Sequence, residues 1–138
     1  MKASIAALLL LLPYSAVAED SAAVLGSRVK SCWGIEDRFG QSSCLAEIND
    51  GLEAELAGLQ KQRIGLVYNQ GLEAQIAAAN DAWETFRQRE CSVVRDQFEL
   101  ASIQTAKVLE CEIYLTAKRV ENLQHLVGCS ENGCPWFF

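Results

Sequence analysis

The stretch Trp83-Glu84-Thr85-Phe86-Arg87-Gln88-Arg89-Glu90-Cys91 decides how the rest of the chain is read. Trp83, Arg87 and Cys91 stand four residues apart, so on a helix they share one face. Upstream, Leu72, Ile76, Ala79, Trp83 and Phe86 step by 4, 3, 4 and 3, a helical stripe. Downstream, Leu109, Ile113, Thr116, Val120, Leu123 and Val127 continue the same period, and Gly128 is placed to end that helix as a C-cap. No glycine or proline separates Cys91 from Cys111. A hairpin centred near residue 100, with Ser102 as N-cap of its second arm, would put the two cysteines on facing arms at the separation a disulfide requires.

Working back from this hairpin, Tyr68-Asn69-Gln70-Gly71 supplies turn chemistry and is the best internal break. Before it, Leu45, Ile48, Leu52, Leu56, Leu59 and Leu66 form another stripe at helical spacing. Phe39-Gly40-Gln41-Ser42-Ser43 reads as a turn whose serine caps that helix, with Cys44 in the first turn. Gly51, Gly58 and Gly65 recur every seven residues, each at a cost to the helix. They imply either close approach of a neighbouring helix or a weak helix tolerated by its packing. The expected fold is all-α: an antiparallel bundle of about three long helices plus a short N-terminal one, stapled by disulfides.

The chain opens with Met1-Lys2, an apolar run from Ile5 to Leu12, and Ala16-Val17-Ala18. This is the pattern of an export signal at residues 1–18, and the run is too short to span a bilayer. The expected mature chain, 19–138, has 11 basic and 18 acidic groups, a net charge of −7, in one domain. That balance disfavours nucleic acid, whose phosphates need a basic face; the acidity either simply keeps the chain soluble or favours a basic partner through long-range steering. The expected location is the periplasm or outside the cell. All six cysteines lie beyond residue 18: Cys32, Cys44, Cys91, Cys111, Cys129 and Cys134. An even count in an exported chain reads as a disulfide framework. Fifteen pairings are possible, and neighbour pairing (32–44, 91–111, 129–134) is the simplest. His125 with Cys129 and Cys134 has a metal-like spacing, but an oxidising compartment and a single histidine favour bridges over zinc. The tail at 128–138 reads as a cysteine-closed loop followed by Trp136, Phe137 and Phe138, which either pack back or anchor a partner.

No catalytic constellation is written in these residues. His125 lies in the last turn of its helix, where the dipole favours it without further role, and no nucleophile–base set accompanies it. No cofactor, no metal and no enzymatic activity are expected.

Trp83-x-x-Phe86-Arg87-x-x-x-Cys91, followed by Cys111-x4-Thr116-x-x-Arg119-x3-Leu123, resembles the LprI-type lysozyme-inhibitor domain, a family of small exported helical proteins. Cys32 and Cys44 match its opening pattern, and Asn80 stands where the family often has Gln. The likeness covers about residues 32–126. The chain departs from it at Leu56-Ala57-x-x-Gln60, where the family usually has Leu-Asn-x-x-Tyr. The resemblance implies inhibition of lysozyme-type cell-wall hydrolases, with Trp83, Phe86, Arg87, Thr116, Arg119 and Leu123 as architectural residues. Arg87 and Arg119 are read as pairing with local carboxylates; the sharper alternative is that one reaches a partner's acidic cleft. An inhibitor of this kind would fill the cleft as a folded body, and Phe98, Leu100 and Ser102 at the hairpin tip are the expected contacts. The rival readings are an accessory envelope protein and an immunity protein.

Overall fold

The computed structural model describes residues 20–128; the expected export signal, the Cys129–Cys134 loop and the aromatic tail lie outside them. Four helices follow one another: α1 (Asp20–Trp33), α2 (Arg38–Gly65), α3 (Gln70–Gln97) and α4 (Gln104–Gly128), with no strand among the described residues. The expected all-α architecture is the observed one.

Consecutive helices are antiparallel, yet the largest interface joins α2 to α4, which are not consecutive. Leu45 and Ile48 cluster with Ala106, Leu109 and Ile113. Further along, Leu56 and Leu59 cluster with Val120, Leu123 and Leu126. Both series ascend together, so α2 and α4 run parallel, while α3 runs against α4 and α1 against α2. Between α2 and α3 the contact is slight. The molecule therefore closes through α4 and opens between α2 and α3.

Two disulfides staple it, Cys32–Cys44 and Cys91–Cys111, with Cα separations of 5.5 and 5.7 Å. Both are the expected neighbour pairs. Each closes a loop worth about 3 kcal/mol in the chain-entropy account.

Two local expectations are corrected, and one left open is decided. First, α2 begins at Arg38, not after the serines. Asp37 is its N-cap, its Oδ1 accepting from Gly40 N at 2.7 Å, so Phe39 to Ser43 are helical. The buried Gln41 closes the preceding turn by donating to the carbonyls of Ile35 (2.7 Å) and Trp33 (3.3 Å). An aspartate one turn earlier outcompetes the serines because its cap also lets Gln41 satisfy that turn. Second, Ser102 is exposed and does not cap α4, since the first intrahelical bond of α4 runs from Lys107 N to the carbonyl of Ile103. Third, the glycine series Gly51, Gly58 and Gly65 faces open space: a Cβ at any of the three would meet nothing within 4 Å. No helix approaches closely there, and the glycines are simply tolerated. The Asn69 turn holds as expected, its side chain accepting from Gly71 N at 2.7 Å.

Candidate functional site

Along α3 the residues that face inward are few: Ile76, Arg87 and Cys91 are buried and Trp83 is half-buried. The others of its apolar stripe turn away from α4, with Leu72, Ala79 and Phe86 exposed. Three of the motif residues come together on this inner face, and two more reach it from α4.

Arg87 is the centre. Only 9% exposed, it is paired with Glu53 of α2 and with Glu84 of α3, the latter at 2.9 Å. Its Nη1 also donates to Thr116 Oγ1 at 2.8 Å, and Thr116 is fully buried. One guanidinium thus ties α2, α3 and α4 together. Burial alone would loosen its proton, but hydrogen bonds to Glu53 and Glu84, and their charge, outweigh that and hold Arg87 above its ordinary value. The expected pairing with Glu84 is present, Glu90 takes no part in these ion pairs, and the cross-helix partner Glu53 was not foreseen.

Two guanidiniums lie near the Trp83 ring, with the Arg87 Cζ 5.2 Å and the Arg119 Cζ 5.8 Å from its centroid. Arg119 differs from Arg87 in every other respect. Its Nη2 donates to Asn80 Oδ1 at 3.2 Å, its Nε is buried without a partner, and no ion pair among the described residues includes it. The expected carboxylate partner of Arg119 is absent among those pairs. Burial, and repulsion from Arg63 of α2, lower its hold on its proton. Leu123 is fully buried against Leu56 and Val120.

Beside this cluster the gap between α2 and α3 forms a groove of about 220 Å³. Glu53, Leu56, Ala57 and Gln60 line one wall, and Asn80, Asp81 and Glu84 the other. Leu56, Ala57 and Gln60, in the run that departs from the family pattern, therefore all border the groove. Among the described residues no group of three or more His, Cys, Asp or Glu side chains is arranged to hold a metal ion.

The hairpin tip lies at the far end of α3. Phe98 is half-buried as the C-cap, Ser102 is exposed, and Leu100 is 98% exposed with φ of 67°. Leu100 is the one non-glycine residue in the left-handed region among those described.

A sequence model of the family described as "Lysozyme inhibitor LprI" matches residues 29–123. The chain belongs to that family. The LprI match covers both disulfides, the Trp83–Arg87–Thr116–Arg119 cluster and the hairpin tip, and it ends at Leu123. No curated protein and no solved structure matches the chain significantly. Among the described residues of this LprI-family protein, no helix is long and apolar enough to cross a membrane.

Proposed function

We propose that the protein is an exported inhibitor of lysozyme-type cell-wall hydrolases that acts by filling the catalytic cleft with the α3–α4 tip. Membership of the LprI family supports the inhibitor class. The observation that carries the choice of surface is Leu100: a large apolar side chain, 98% exposed, on a backbone with φ of 67°. Such a conformation disfavours leucine by about 1 kcal/mol, and residues held that way concentrate at binding and catalytic sites. The tip stands on two helices bridged by Cys91–Cys111, so little order is lost when it docks. A lysozyme-type site works through two carboxylates, one held protonated. A rigid plug that excludes water and substrate from them needs no chemistry of its own. The net charge of −6 would speed association with a basic hydrolase at low salt.

The test is loss of turbidity of a cell-wall suspension by lysozyme as oxidised protein is titrated in. Leu100→Gly separates function from fold. Glycine accepts the left-handed turn freely, so the variant should be more stable by about 0.5–1 kcal/mol yet inhibit at least tenfold less well. Full inhibition by Leu100→Gly would discard the tip as the contact. No slowing of lysozyme by the parent at large molar excess would discard the inhibitor reading and favour an accessory envelope role.

A further inference from the structure

Two disulfide-stapled hairpins turn at the same end of the molecule. Because α2 and α4 run parallel, the α1–α2 turn and the α3–α4 tip both lie beyond their starts. Leu45 and Ala106 share one core cluster. Phe39 precedes Leu45 by six residues, and Leu100 precedes Ala106 by six. Phe39 therefore stands past the sealed core by about 9 Å along its helix, and Leu100 sits on the neighbouring tip. Both are large apolar side chains set in solvent, Phe39 83% exposed and Leu100 98%. A lone exposed apolar residue is ordinary on a protein surface. What sets Phe39 apart is how firmly its segment is held. Cys32–Cys44 bridges the chain on either side of it, and Gln41 ties α2 back to the carbonyls of Trp33 and Ile35. Asp37 caps the helix at Gly40 N, and Gly40 lies so close to Ile35 that a Cβ there would meet Ile35 Cγ2 at 2.8 Å. Leu100 is held in the same manner, by Cys91–Cys111 and by Gln104 Nε2 donating to the Arg95 carbonyl at 2.9 Å.

We propose that this end of the molecule is a two-pronged docking face for a basic protein, with Phe39 as a second anchor beside Leu100. On the inhibitor reading, on which this rests, both prongs engage the mouth of the hydrolase cleft. The charges around them fit a partner of that kind. Residues 34–40 and 95–103 carry four carboxylates, Glu36, Asp37, Asp96 and Glu99, against two guanidiniums, Arg38 and Arg95. All six side chains are exposed, and none belongs to an ion pair among the described residues. Arg38 is turned back onto Gln41 Oε1 at 2.9 Å, which leaves the carboxylates to face outward contacts. Apolar anchors inside a charged rim are the layout of a protein interface: the anchors carry most of the affinity, and the rim sets the speed of encounter and the choice of partner. One anchor alone would leave the partner free to rotate about it. Two anchors on separate stapled hairpins fix its orientation, and because both hairpins are rigid beforehand, docking has little left to order.

The experiment uses oxidised full-length protein and a basic lysozyme, and it measures both the inhibition and the association rate. Phe39→Ala should weaken inhibition about tenfold at unchanged Tm, since the side chain touches little of its own fold. Phe39→Leu, which keeps an apolar group there, should lose no more than about threefold. Tyr68→Ala is the control: Tyr68 is as exposed as Phe39 but lies in the α2–α3 turn at the opposite end, and its loss should change nothing. Reversing the rim with Glu36→Lys and Glu99→Lys together should slow association about threefold to tenfold at low salt, and the difference should shrink at about 0.5 M salt. Full inhibition by Phe39→Ala, or an equal loss from Tyr68→Ala, overturns the second anchor while the inhibitor reading stands. An association rate that the charge reversal leaves unchanged overturns the basic character of the partner. No slowing of lysozyme by the parent protein overturns both the inhibitor reading and this face.

Discussion

The two ends of the helical body are built on different principles. At the end shared by the starts of α2 and α4, α1 covers the core and the contents are apolar: Cys32, Leu45, Ile48, Ala106 and Ile113, all nearly sealed. Both disulfides lie in this half or at its border. At the other end the apolar core shrinks to Leu56, Val120 and Leu123, and α3 stands off from α2. Polar chemistry takes over there, with Arg87 as the border post and Arg119 beyond it. Each end also has a tryptophan beside a cation. Trp33 donates to Glu110 at 3.2 Å with Lys107 4.5 Å above its ring, and Lys107 and Glu110 pair at 2.8 Å, so this set is closed on itself. The Trp83 set is closed on the Arg87 side and open on the Arg119 side. The sealed end is closed by apolar packing and a self-contained ion pair, whereas at the other end one guanidinium has no carboxylate among the described ion pairs.

This contrast is easiest to break where it is strongest. Replacing Cys32 and Cys44, or Cys91 and Cys111, by serine should cost about 3 kcal/mol per bridge in denaturant unfolding. Next comes Arg87→Ala, which strands Thr116 and two carboxylates. A fully sealed pair broken in this way costs about 3–5 kcal/mol, but Glu53 and Glu84 are each more than a third exposed, so about 2–3 kcal/mol is expected. Arg119→Ala should cost less than about 1 kcal/mol, since the lost ring contact and amide bond are offset by removing a repelled, unpartnered guanidinium. Equal losses for the two arginines would erase the distinction drawn between them. Gly58→Ala should add about 0.5–1 kcal/mol, because the position is helical and a methyl group there meets open space. The smallest effect concerns Glu112. Burial raises its affinity for a proton, and Glu53 and Glu84 add to this while Arg87 and Arg95 oppose it. A carboxyl held above its ordinary value favours the folded state while protonated and loses that advantage as pH rises through the carboxylate range toward the raised value. Glu112→Gln should therefore be more stable than the parent at neutral pH, with the gap closing in acid. A gap that widens in acid would mean that Glu112 is stabilised as an anion.

Much of this architecture is legible in the residues alone. The stripes through Leu45–Leu59 and Ile113–Leu123 mark the apolar faces of α2 and α4, but not that these two faces meet each other. The Asn69 turn and both described disulfides follow from turn chemistry and neighbour pairing. What periodicity misreads is α3. Its stripe through Leu72, Ala79 and Phe86 is regular, yet those positions are exposed, and the helix is held by Arg87, a charged residue no hydrophobic pattern counts. The cluster residues themselves are visible as a motif, but Glu53 is not. It lies 34 positions from Arg87, and only the packing of α2 beside α3 brings it there. The groove is hidden for the same reason, since its walls come from helices that scarcely touch.

The order of the described cysteines has a consequence for how the protein matures. Each bridge joins a cysteine to the next one in the chain, across 12 and 20 positions, while the largest interface joins helices that are far apart in sequence. The α1–α2 and α3–α4 hairpins can each be oxidised as they emerge, before α2 meets α4. An oxidase that couples thiols in order of appearance would make these two bridges at the first attempt, and thiol reshuffling would have nothing to correct in this part of the chain.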